Sequence, residues 1–281
     1  MQNCCVLLIQ KNVFAIVCLI SGLLLTAQVQ AAPTAELLSF WVSSNEKNDQ
    51  GIDHSAWQAT LDHYLISEHS SGINRFDYKR VSRADKKRLA DYLLMMQKLD
   101  PRHYAKATQK AYWINLYNAL TVKLILDHYP VSSITEISEG FFSFGPWDDK
   151  VITLQGQALS LNDIEHGILR PQWKDNRIHY AVNCASMSCP NLSALAFTAN
   201  NTENLLEQSA SDYINHSRGV KFENGKLVVS SIYHWYKIDF GNSDASLLLH
   251  LQQYAKAALK EELTQYQGKL DHDYSWVLNQ P

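Results

Sequence analysis

The 281 residues hold little that is basic, little cysteine and no long apolar stretch beyond the first tenth of the chain. Lys and Arg number 25 against 28 Asp and Glu, for a net charge of −3, and no basic block stands out. That removes the electrostatic footprint a nucleic-acid partner requires. After Leu25 no apolar run approaches the ~20 residues of a spanning helix, so no membrane span is expected in the remainder. Only 11 Gly and 7 Pro are spread along the chain, with no linker, repeat or low-complexity segment. Of 5 cysteines, Cys4, Cys5 and Cys18 crowd the N-terminus, which leaves Cys184 and Cys189 for the rest. A disulfide-rich scaffold is excluded.

The N-terminus itself reads as an export signal. Lys11 precedes an apolar run from Val13 to Leu25, broken only by Ser21 and Gly22, and Thr26 to Ala32 is polar and small. Val29-Gln30-Ala31 offers small residues at the −3 and −1 positions, so cleavage is expected after Ala31. Residues 1–31 then form a cleavable signal and 32–281 a periplasmic or secreted protein. Its charge is about −4, because Lys11 leaves with the signal and no acid does. The ~250 remaining residues suit one globular domain with a sizeable core.

Hydrophobic periodicity predicts a helix-rich α+β domain with a small, mostly antiparallel sheet. Helices are expected at Glu36 to Val42, Ser55 to Ile66, from Ser82 to Pro101, and from about His103 to His128. Ser82 with Asp85 has the form of a capping box. Arg75 to Tyr78 suits a short strand, and Gly140 to Trp147 an aromatic loop. Hairpins are expected at 151–161 and 220–230, turning at Gln155-Gly156 and Asn224-Gly225. Asn162 is placed to cap a short helix through Leu169, and Arg177 to Cys184 reads as a strand. Asn201 to His216 and Ser243 to about Leu263 read as helices.

Three segments combine polar groups with apolar surroundings. Asn115 and Asn118, three apart, share a face of the long helix, where buried Asn needs partners. Asp163, Glu165, His166 and Arg170 share a short helix, where a carboxylate can orient His166 as a base. Cys184, Ser186, Ser188 and Cys189 form a small polar loop with amides free to meet an anion. Strand parity over 178–184 turns His179 away from Cys184, leaving His234 as the fallback base.

These segments, with Trp235-Tyr236-Lys237-Ile238-Asp239-Phe240, resemble the signature blocks of the domain-of-unknown-function family 547. The motifs are aromatic-Ile-Asn-x-Tyr-Asn-Ala, Glu-His-x-x-Leu-Arg, Asn-Cys-Ala-Ser-x-Ser-Cys-Pro and Trp-Tyr-x-x-Asp-Phe, spanning roughly 104–240. The resemblance implies a bacterial envelope protein with intracellular plant relatives, and brings no activity with it. A cysteine pair kept in reducing compartments is hard to explain as a structural disulfide alone.

The leading expectation is a cysteine-dependent hydrolase or acyl transferase acting on amide bonds. Cys184 would be the nucleophile, His166 the base, and Asn115 or Asp163 its orienter, with amides near Ala185 and Ser186 for the oxyanion. The alternative is a non-catalytic module braced by a Cys184–Cys189 disulfide, with a pocket walled by Asn115, Asn118, Arg170 and the 141–147 aromatics that binds a small anionic molecule or peptide. A third is a metal held by Cys184, Cys189 and His166, which lacks a fourth ligand. No cofactor is implied.

Overall fold

The computed structural model describes residues 33–137 and 145–281. The expected signal, and residues 140–144 of the aromatic loop, lie outside the described residues.

Helices α1 (Ser55–Tyr64), α2 (Arg83–Lys98) and α3 (Lys106–His128) build the N-terminal half. Ser82 accepts from the Asp85 amide at 3.1 Å and donates to its carboxylate at 2.7 Å, so α2 starts where the capping box places it. Nearly every side chain of α3 from Thr108 to Val122 is buried, so α3 is the axis of the larger core. A two-stranded ribbon, β1 (Leu65–Ile66) with β2 (Arg75–Phe76), and a hairpin, β3 (Ile152–Leu154) with β4 (Gln157–Leu159), flank it.

After β4, residues Asp163–Leu169 wind as a π-helix into α4 (Arg170–Trp173). Ser160, not Asn162, caps this segment: its hydroxyl accepts from the Asp163 amide at 3.1 Å, and Asp163 accepts from the Ser160 amide at 2.7 Å. Helix α5 (Thr202–Ile214) leads into a second, smaller core of α6 (Ser231–Trp235), α7 (Asp244–Tyr254), α8 (Ala257–Gln265) and a three-stranded sheet. In that sheet β5 (Val220–Glu223) and β6 (Lys226–Ser230) are antiparallel, and β7 (Leu270–Asp273) joins β6 in parallel. The described residues are helix-rich α+β with small sheets, as the periodicity predicted.

Three local expectations are corrected. Arg177 to Cys184 is not a strand: Asn176–Tyr180 is a 3-10 helix, opened by Asp175, whose carboxylate accepts from the Arg177 amide at 3.0 Å. This local turn overrides the β-favouring side chains, and the parity argument about His179 falls with the strand. Glu36 to Val42 forms only a 3-10 turn, Ser39–Trp41. The preceding chain is held extended by the Glu36 and Leu38 amides, which donate to the His166 and Gly167 carbonyls at 3.1 and 2.8 Å. The closing helix breaks between Tyr254 and Ala257, where Asn215 bonds the Tyr254 carbonyl (2.9 Å) and the Lys256 amide (2.7 Å).

Candidate functional site

The segment 178–184 runs along the seam between the two cores. Ile178 packs into the larger and Tyr180 into the smaller. Asn118, buried on α3, pins this segment: its amide donates to the Ala181 carbonyl at 2.9 Å, and its oxygen accepts from the Asn183 amide at 2.8 Å. Asn115 does the same for Phe197, at 2.7 and 2.9 Å. Both asparagines therefore spend their polar atoms on backbone groups that would otherwise be buried without partners. Neither Asn115 nor Asp163 has a hydrogen bond to His166 among the described residues; Asp163 is taken up by Ser160 and by Lys150 at 2.5 Å.

Beyond Asn118 the chain folds back on itself. Asn183 closes the loop, donating to the Pro190 carbonyl at 2.7 Å and accepting from the Ala185 amide at 2.9 Å. Ala185 has φ 59°, a left-handed conformation that a non-glycine residue holds only when its surroundings impose it. The result brings Cys184 and Cys189 together as free thiols with sulfurs 2.9 Å apart. The Cys189 sulfur also accepts from the Cys184 amide at 2.9 Å. Cys184 is half-buried while Cys189 is buried.

The Cys184 sulfur also lies 3.1 Å from the Tyr274 hydroxyl and 3.3 Å from that of Ser186, and these two hydroxyls are 2.9 Å apart. Burial pushes the Cys184 thiol up, but the hydrogen bonds of Cys189, Ser186 and Tyr274 outweigh it, and the net shift is down. The buried Cys189 thiol is pushed up by desolvation and by its bond to Cys184. Of the two sulfurs, that of Cys184 is therefore the readier to ionise. Ser188 accepts from the Ser275 amide at 2.8 Å, tying the loop to the segment after β7 in which Tyr274 lies. Half-buried Trp235, Tyr274 and Trp276 pack on one another beside the thiol, with ring centroids 4.7 to 5.6 Å apart.

No imidazole is within hydrogen-bond distance of either sulfur among the described residues. His166 belongs instead to a buried ionic cluster. Asp239 accepts from Arg170 Nε at 2.6 Å and from His179 Nε2 at 2.7 Å. Glu165 stands 3.6 Å from His179 Nδ1, an ionic contact too long for a hydrogen bond, and 3.9 Å from His166 Nδ1. Arg170 Nη1 lies 3.0 Å from His166 Nδ1 and donates to the Pro33 carbonyl at 2.9 Å.

Arginine has no acceptor to offer, so His166 Nδ1 must accept, and the ring proton sits on Nε2. Burial, with the nearby Arg170 and His179, lowers His166 to about 4. His179 is raised: burial opposes its charge, and Asp239 and Glu165 overcome that. Glu165 and Asp239 are held at about 2 although burial pushes both up, because His166, His179 and Arg170 favour the Glu165 carboxylate, and His179 and Arg170 that of Asp239. Tyr236 stacks on His179 with centroids 4.1 Å apart and lies under Arg170 at 4.9 Å, so it roofs this cluster.

Sequence reasoning missed Tyr274, which belongs to no motif and lies in the C-terminal strand region. It also missed His179 and Asn183, whose roles depend on turns that periodicity does not show. The donor set expected for a metal does not assemble: among the described residues no three His, Cys, Asp or Glu side chains come together to hold an ion. His234 stacks on His272, with centroids 4.4 Å apart.

Fold and site together define a helix-rich α+β protein that sets a cysteine pair, one half-buried and one buried, at the seam of two cores, beside a buried ion-pair cluster. Residues 101–214 match the family model described as "Protein of unknown function, DUF547". The first three motifs fall inside that match, and the Trp235–Phe240 block lies beyond it. No curated protein and no solved structure matches the chain.

Proposed function

We propose that this is an exported thiol enzyme in which Cys184 is the nucleophile and Cys189 the resolving thiol, acting on disulfides of envelope peptides or small molecules. The observation that carries the reading is the pair of free sulfurs 2.9 Å apart, the accessible one shifted down and the buried one up. That asymmetry is what thiol–disulfide exchange needs, because the thiolate attacks and the leaving thiol takes the proton. The Cys184 thiolate attacks one sulfur of a substrate disulfide and forms a mixed disulfide, expelling the other as a thiolate. Cys189 then attacks Cys184, releases the second substrate thiolate and closes the Cys184–Cys189 disulfide. The substrate gains two electrons, the dithiol loses two, and the two cysteine protons pass to the released thiolates.

A second reading keeps the acyl transfer expected from the sequence, with the backbone of Ser186 among the groups that favour the Cys184 thiolate. A preformed thiolate attacks an amide carbonyl without needing a base, and the Tyr274 hydroxyl can protonate the leaving amine. Hydrolysis of the thioester, however, needs a base beside the sulfur, which favours exchange over hydrolysis.

Iodoacetamide at pH 6 separates these ideas from an inert thiol. Cys184 should be alkylated well below the pH at which an ordinary thiol titrates, more slowly in Tyr274→Phe and at an unchanged rate in His166→Ala. In a series of glutathione buffers, the pair should close and reopen reversibly, read as loss and return of two alkylatable thiols. A pair that stays open in fully oxidised glutathione sinks the exchange reading. Amide turnover that needs Cys184 and survives Cys189→Ser would establish acyl transfer in its place.

A further inference from the structure

Buried and half-buried arginines among the described residues are neutralised by carboxylates, with two exceptions. Arg102 pairs with Asp100 at 2.7 Å, Arg170 with Asp239 at 2.6 Å, and Arg177 with Asp175 and Glu203 at 2.8 and 2.6 Å. Arg75 and Arg218 have no carboxylate within ion-pair distance among the described residues. These two are neighbours. They converge on the loop that carries the cysteine pair: Arg75 Nη1 lies 2.7 Å from the Met187 sulfur, and Arg218 Nη1 donates to the Met187 carbonyl at 3.4 Å. Burial lowers the pKa of Arg218, and the Arg75 charge beside it adds to that.

The remaining donors are poorly used. Arg75 Nη2 reaches Ser71 Oγ only at 3.4 Å, and the Nε of both arginines is buried without a hydrogen-bond partner. Arg75 Nη1 also donates to the Gln280 carbonyl at 3.2 Å, and Arg218 Nη2 to Asn191 Oδ1 at 2.7 Å. The face of Tyr213, 5.4 Å from the Arg218 guanidinium, is a weak substitute for a counter-ion. Two adjacent guanidiniums, partly desolvated and with spare donors, are costly unless an anion joins them. Arginine forks suit the two oxygens of a carboxylate or a phosphate.

We propose that Arg75 and Arg218 form an oxyanion-binding site beside the 184–189 loop, taking a carboxylate or phosphate group. It stands on the two unpaired guanidiniums alone and does not depend on what Cys184 does.

The test uses the full exported chain, with inorganic phosphate and with acetate as probes, each titrated by calorimetry at constant ionic strength maintained with chloride. Saturable binding of at least one probe is expected, weakened at least tenfold in both Arg75→Gln and Arg218→Gln. Binding of acetate alone assigns the site to carboxylate ligands, and binding of phosphate alone to phosphate esters. Arg218→Lys, which keeps the charge and loses the fork, serves if a Gln variant fails to fold, and should also weaken binding. No saturable binding of either probe, or binding that survives these substitutions, overturns the proposal.

Discussion

Asn118 shows how one side chain can set the position of a reactive atom it never touches. Its amide group bridges Ala181 and Asn183, and the next residue is Cys184. Replacing it with Leu would leave a buried carbonyl and a buried N–H without partners. Asn118→Leu is expected to cost ~1–3 kcal/mol, measured from urea unfolding midpoints. An unchanged midpoint would mean that water can replace the amide at this place. The burial of Asn115 and Asn118 was readable in the sequence, because two asparagines inside an apolar helix demand partners. The identity of those partners was not, since the Ala181, Asn183 and Phe197 backbones arrive from distant parts of the chain.

Helix Asp163–Leu169 illustrates an element whose form is decided by a neighbour. The extended chain at 36–38 donates to two of its carbonyls, and Gly167 lets Leu38 approach. A Cβ at Gly167 would stand 2.7 and 2.8 Å from Leu38 Cγ and Cδ1. Gly167→Ala gains ~1 kcal/mol of helix propensity. Overpacking against a side chain whose own amide is tied to Gly167 costs ~1–3 kcal/mol, so the net expectation is a modest loss. A variant more stable than the parent, by thermal denaturation, would show that Leu38 moves aside freely. The sequence placed a helix here correctly and named the wrong cap: Ser160 with Asp163 has the same short spacing as Ser82 with Asp85, and Asn162 is already inside the helix.

Across the whole molecule, burial of histidine sets how stability follows pH. His54, His166 and His250 are each lowered to about 4, chiefly by burial. In the unfolded chain they protonate near the ordinary value of ~6.5. Between those values the unfolded chain binds more protons, so the stability these three supply is present above ~6.5 and is lost as pH falls toward 4. His179 is raised and works the other way: its contribution is present below ~6.5 and lost as pH rises through its folded pKa. Three groups against one give a net loss, expected at a few kcal/mol between pH 7 and pH 5. Urea midpoints across that range check it, and a midpoint that rises on acidification would contradict it.

The sequence by itself determined what lies within a turn or two. The α3 axis, the α2 capping box and the two hairpin turns are all local. At those turns Gln155 and Gly156 take φ 47° and 78°, and Asn224 and Gly225 take 51° and 75°. Its short polar loop also marked Cys184, Ser186, Ser188 and Cys189 as a group. Only the tertiary structure decided that β7 adds in parallel to β6, and that Arg170 and His179 meet on Asp239. It also decided that Tyr274 completes the sulfur's surroundings and that Arg75 meets Arg218. Periodicity and capping act over a few residues, whereas these outcomes depend on which distant surfaces pack together, a matter of shape and desolvation that no local pattern encodes.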